Sequence, residues 1–224
     1  MKIFMYHSID IPPKEAKLKS LYVKPNKFET QLKVLKKLGY NFVKTEDLEN
    51  NPKKSILLTF DDGYKDFYDN AFPIIKKYNA NAIVFIPAEL VGTFNQWDYE
   101  KLNVRKKLMN WEEIKRIYKE GIEIGSHTLT HPFLTKIPKE KAKIEIQDSK
   151  KMLEDMLSTE ITCFCYPYGD YNETIRDLVI EAGYKYAFTT KEGSLEQSDN
   201  IYEIKRVPIS GFYSLPKVLW KTII

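Results

Sequence analysis

Short runs of consecutive apolar residues alternate along the chain with longer stretches whose apolar positions recur every three to four residues. The short runs are Lys2 to Tyr6, Ser55 to Phe60, Ala82 to Ile86, Ile122 to Gly125, Ile161 to Cys165, Tyr186 to Thr189 and Ile201 to Ile209. Their length and flanks predict strands, with Asn41 to Val43 as a shorter one. The helical spacing covers Asn26 to Leu38, Asp66 to Tyr78, the segment capped by Asn110, Lys139 to Leu157, Glu173 to Ala182 and Leu215 to Ile224. Gly39, Gly121 and Gly183 stop three of them. In Lys139 to Leu157 the apolar face is read as Ile144, Ile146, Met152, Leu153 and Met156. Strands that are apolar throughout are buried on both faces, and their alternation with helices predicts a parallel sheet covered by helices. No linker or repeat divides the pattern, so residues 1–224 read as one α/β domain. A barrel and a doubly wound open sheet both satisfy this periodicity.

Composition narrows the function classes. The net charge is +4, from 35 basic and 31 acidic residues, and only Arg105, Arg116, Arg176 and Arg206 are arginines. The lysines are dispersed, which reads as a solvated surface and argues against nucleic acid. No run approaches the roughly 20 apolar residues of a membrane span. The Met1-to-Ser8 segment lacks the apolar length and cleavage site of a signal peptide, so the sequence as written predicts an unexported, cytoplasmic protein. A sequence cut from an extracellular or cell-envelope protein would read the same. Cys163 and Cys165 fall two apart in an apolar stretch and are expected to be buried small side chains, not a disulfide or a zinc site.

Three strands end in chemistry. His7 follows the first. Asp61-Asp62 follow Ser55 to Phe60. His127 and His131 follow Ile122 to Gly125. These are all three histidines of the chain. Sites in parallel α/β sheets lie at the carboxyl ends of strands, so one rim is expected to collect all five residues. Alone, an aspartate there is ordinarily a cap or turn residue. Two adjacent aspartates before Gly63 exceed that need. Pro132 disfavours a helical His131, so the histidines are expected on a strand-exit loop. Two imidazoles and one carboxylate are the donors of an open catalytic metal site, and the second carboxylate is free to act as a base.

Thr59-Phe60-Asp61-Asp62-Gly63 and Ser126-His127-Thr128-Leu129-Thr130-His131 resemble the first two motifs of the polysaccharide deacetylases, carbohydrate esterase family 4. Tyr166-Pro167-Tyr168-Gly169 resembles the third. The resemblance implies a distorted (β/α) barrel of about seven parallel strands in a single domain. It also implies a divalent metal, zinc first and nickel, cobalt or iron as alternatives, and removal of acetyl groups from N-acetylated sugars. It makes Asp62, His127 and His131 the metal ligands, Asp61 the general base, and the Tyr168 backbone N–H an oxyanion donor. Trp97 and the Tyr166-Pro167-Tyr168 segment would contact a carbohydrate substrate, with Tyr99 and Tyr171 available to stack on sugars. Two departures stand out. Cys165 occupies the place of an arginine that braces the catalytic aspartate, and no histidine follows His131 to serve as the late general acid. Met5-Tyr6-His7-Ser8 resembles the biofilm poly-N-acetylglucosamine deacetylase branch, which makes His7 the expected acid. A deacetylase of a small or lipid-linked amino sugar or another amide, or a non-catalytic carbohydrate-binding barrel, are the competing readings.

Overall fold

The computed structural model describes residues 1–196 and 199–223. Its strands are β1 (Lys2–Tyr6), β2 (Asn41–Phe42), β3 (Ser55–Phe60), β4 (Ala82–Ile86), β5 (Glu123–Ser126), β6 (Cys163–Cys165), β7 (Tyr186–Glu192) and β8 (Ile204–Pro208). All pair in parallel, in the order β1-β8-β7-β6-β5-β4-β3-β2, and β1 also pairs with β3. That last pairing closes a seven-stranded barrel, and the two-residue β2 attaches to the start of β3. The choice left open by periodicity is settled as the barrel.

Strand alternation explains why the strands read as solid apolar runs. Ile56, Leu58 and Phe60 pack outward into the core shared with the helices. Ile3, Leu57, Ile83, Phe85, Cys163, Cys165, Phe188 and Ile204 form a second core, the filled barrel interior. Both cysteines are free and buried there, as expected. Gly125 belongs to the same layer: a Cβ on it would stand 2.5 Å from the Phe85 ring.

The helices are α1 (Pro25–Lys37), α2 (Phe72–Lys77), α3 (Tyr99–Leu102), α4 (Trp111–Lys119), α5 (Lys139–Leu157), α6 (Glu173–Glu181) and α7 (Leu215–Trp220). Asn110 and Asn172 cap α4 and α6 through their side chains, as expected. Three expectations change. The helix expected from Asp66 opens as a π-helical turn, Phe67–Ala71, before α2. Pro73 has no N–H to give the carbonyl of Asp69, so regular α bonding fails there. On α5 the buried face is Ala142, Ile146, Ser149, Leu153 and Leu157, while Ile144 is 52% exposed on the far side. Finally, α7 ends at Trp220, and Ile224, expected to close it, lies outside the described residues. Among the described residues no helix is long and apolar enough to cross a membrane.

Candidate metal and catalytic site

The Asp61 N–H still bonds the Tyr6 carbonyl at 3.0 Å, extending the β1–β3 ladder by one residue. The chain then leaves the ladder: Asp62 has φ +74° and Gly63 φ +63°. Aspartate tolerates this left-handed backbone better than most residues. The reversal sends the two carboxylates to different partners.

Asp61 meets Arg206 of β8. Both Asp61 oxygens accept from the guanidinium at 2.7 Å, a bidentate pair that is 4% and 0% exposed. Arg206 also donates to the Thr189 carbonyl at 2.8 Å, the Thr59 hydroxyl at 3.0 Å and Cys165 Sγ at 3.2 Å. Burial pushes the Asp61 carboxyl up, but the Arg206 charge and hydrogen bonds outweigh it and hold it below its ordinary value. The brace missing from the third motif is therefore supplied from another strand, and Cys165 lies against that brace. Arg206 is not among the site residues expected from the sequence. Its signal was an arginine two residues from Ile204, on the face that alternation turns inward.

Asp62 meets the two histidines. Its Oδ1 lies 3.5 Å from His127 Nε2 and 3.3 Å from His131 Nε2. His127 Nδ1 sits 2.7 Å from the Cys165 carbonyl, which can only accept, so the ring proton belongs on Nδ1 and Nε2 is left as a donor to metal. The loop between the histidines is tied at several points. Thr128 (φ +68°) accepts from the His131 N–H at 3.0 Å. Glu145 of α5 accepts the N–H groups of Leu129 and Thr130, both at 2.9 Å. His131 is held by rings: Trp97 stacks on it at 4.6 Å and Tyr168 meets it edge-on at 4.6 Å.

The three donors fit a tetrahedral cation. Ligands about 2.1 Å from a shared zinc stand about 3.4 Å apart, close to the two separations observed. Burial pushes Asp62 up, but the two imidazoles hold it well below the usual carboxylate range, so it is ionised. Burial lowers His131, favouring the neutral ligand form. His127 goes the other way: burial lowers it, but Cys165 and Asp62 outweigh that and raise it, so metal uptake there would release a proton. Asp61, His127 and Cys165 form a second compact group. It is the poorer host, because Arg206 already pairs with Asp61 and burial pushes the Cys165 thiol up.

Asp61, Asp62, His127 and His131 line one cleft of about 190 Å³. His7 is on its wall, with Nε2 4.0 Å from Asp61 Oδ2 and a side chain 22% exposed. All five expected strand-end residues thus share one rim. Trp97, Asp98 and Tyr168 line the cleft as well. Asp98 is pushed up to about 6 by burial and by the Asp62 charge. Tyr168 adopts φ +59°, and Phe133 stacks on its ring at 3.8 Å. Tyr166 and Pro167, expected to contact substrate, do not line the cleft. Tyr166 is fully buried, stacks on Tyr171 and donates its hydroxyl to the Tyr202 carbonyl at 3.0 Å. As neighbours of Tyr168, the two hold the turn instead.

The chain is similar to known proteins over most of its length. Residues 48–187 match the polysaccharide deacetylase family model. The poly-beta-1,6-N-acetyl-D-glucosamine N-deacetylase of Staphylococcus aureus (strain MRSA252) is 30% identical over 208 residues, covering 86% of this chain and 69% of that protein. The Streptococcus pyogenes deacetylase PplD, solved in complex with acetate, superposes with a TM-score of 0.86 at 29% identity, covering 99% of this chain and 97% of that one. IcaB from Ammonifex degensii shares the fold, with a TM-score of 0.84 at 22% identity over 100% of this chain and 97% of that chain. By the family match over more than half of its length and the relative that it covers to more than two thirds, the chain belongs to the polysaccharide deacetylases of carbohydrate esterase family 4.

Proposed function

We propose that this protein is a metal-dependent hydrolase that removes N-acetyl groups from N-acetylglucosamine-containing poly- or oligosaccharide and releases acetate. The observation that carries the reading is the division of labour at the strand end: Asp62 faces two imidazoles and Asp61 faces Arg206. Asp62, His127 and His131 would hold the cation, with zinc the best match to two imidazoles and a carboxylate. When bound, such a cation acidifies water and polarises the acetyl carbonyl. Asp61, kept ionised by Arg206, accepts the proton of the attacking water. The Tyr168 backbone N–H donates to the oxygen that becomes negative in the tetrahedral intermediate. Protonated His7 gives its proton to the departing nitrogen as the C–N bond breaks, so an amine leaves and acetate remains. Trp97 and Tyr168 offer ring faces for the sugar.

Acetate release from N-acetylglucosamine oligomers tests this directly, measured with chelator and with added zinc, nickel or cobalt. Release that zinc supports and chelator removes is the expected result. Turnover indifferent to chelator would overturn the metal dependence, and sugar binding without acetate would leave a carbohydrate-binding barrel. His7→Ala is expected to lower kcat by roughly 10²-fold or more with bound zinc unchanged. Loss of zinc in that variant would instead make His7 a ligand.

A further inference from the structure

The reaction as described leaves one buried carboxylate without a task. Asp66 lies four residues past Asp62, on the turn that leaves β3, and is 7% exposed. Its Oδ1 accepts the Ile9 N–H at 2.8 Å and its Oδ2 accepts the Ser8 hydroxyl at 3.1 Å. Lys106 pairs with the same Oδ2 and donates to Ser8 Oγ at 2.8 Å. Asn70, one turn further on, donates to the Ile9 carbonyl at 2.8 Å. All of these bonds converge on the two residues that follow His7.

The His7 imidazole makes no hydrogen bond to the described residues; its nearest charged partner is Asp61 at 4.0 Å. Its place in the cleft is therefore set by its backbone. Before His7, β1 is held in the barrel between β8 and β3. After it, Ser8 is tied on one side by the Leu21 carbonyl at 3.2 Å and the Val23 N–H at 2.9 Å. Asp66 is the tie on the other side, and it comes from the segment that carries Asp61 and Asp62. A buried ion pair is a poor way to gain stability, since apolar replacements of similar volume are often as good. Its geometry is what such a pair can supply.

We propose that Asp66 is a positioning residue for His7: it locks the exit of β1 to the exit of β3, and so fixes the distance between proton donor and metal-binding carboxylate. The proposal rests on the reading of His7 as the donor. Lys106 belongs to it, because it offsets the charge and ties the 93–108 excursion, which carries Trp97 and Asp98, to the same carboxylate.

With only three histidines in the chain, ¹⁵N-histidine NMR of the metal-free and zinc-loaded protein reports each imidazole separately. Asp66→Asn is expected to shift or broaden the His7 resonances while those of His127 and His131 and their response to zinc stay as in the parent. On N-acetylglucosamine oligomers kcat should fall on the order of 10-fold or more, with KM changed less than about two-fold, as for a misplaced catalytic group. Ser8→Ala, which removes the two hydroxyl bonds to Asp66 and Lys106 and leaves the ion pair and the Ile9 N–H bond, should give a smaller change of the same sign and serves if Asp66→Asn does not fold. An unmoved His7 signal, or equal disturbance of all three histidines, overturns the proposal. A parent protein that releases no acetate would defeat the functional reading alone, because the NMR coupling of Asp66 to His7 is read without turnover.

Discussion

Asp61→Asn is expected to reduce kcat by roughly 10²–10⁴-fold and to bind zinc with unchanged stoichiometry. The substitution keeps the shape and removes the charge. Arg206 retains an acceptor in the new amide and its bonds to the Thr189 carbonyl and the Thr59 hydroxyl, at 2.8 and 3.0 Å. Asp62, His127 and His131 are untouched. What disappears is the carboxylate beside them that Arg206 holds in place and keeps ionised to take a proton from water. Kinetics on N-acetylglucosamine oligomers, with zinc counted per chain, give the answer. Full activity would sink the assignment of Asp61 as base, and lost zinc would mean that the carboxylates share the ligand role.

The second large effect is expected at Arg206. Arg206→Met fills much of the same volume but leaves the Asp61 charge buried without its partner. Breaking a buried pair this way costs roughly 3–5 kcal/mol, a fall in Tm of roughly 6–20 °C for a chain of this size. Activity should drop on the order of 10²-fold, since the base loses its orientation. The pH dependence follows from the sign of the Asp61 shift. In the parent its pKa is lowered, so Asp61 adds stability above the unfolded value of about 3.9 and that stability is lost as pH falls through the folded value. Without Arg206 the burial that raises the pKa is opposed only by the weaker pull of His7 and His127, and an Asp61 that must ionise then costs stability at neutral pH. The gap in Tm between parent and variant is therefore expected to narrow as the pH is lowered from 7 toward 4. Thermal unfolding across that range measures it, and a gap that widens on acidification would show that Arg206 does not set the ionisation of Asp61.

Most of the scaffold was legible in the residues because the signals are local. Solid apolar strands, capped helices and glycine stops place nearly every element within a few positions, and α5 begins and ends where its periodicity predicts. The errors were local as well. Ile144 was assigned to the buried face of α5 by apolar character, but 3.6-residue geometry puts it opposite Ala142, Ile146 and Ser149. The helix after Asp66 yielded to Pro73. At the site, Asp61, Asp62, His127 and His131 stood out because adjacent acids and paired histidines at strand ends have few structural uses. Tyr166 and Pro167, expected to contact substrate, stand away from the cleft for a different reason. Tyr166, Pro167 and Tyr168 are consecutive on a turn, and only the Tyr168 side chain turns toward the cleft.

The amino-acid sequence by itself determined the strand–helix alternation, the one-domain α/β class, and the presence of two acids and three histidines at strand ends. Each of these depends on neighbours within a turn or two. Whether the sheet closes depends on β1 meeting β8 and β3 at once, a contact between opposite ends of the chain that no local pattern encodes. Closure has chemical consequences. It carries Arg206 to within 2.7 Å of Asp61, 145 positions away, and sets His7 4.0 Å from the same carboxylate. The tertiary structure also moved the brace from the place of Cys165 to β8, because alternate residues of every strand share one barrel interior and a cation can reach the aspartate from any of them.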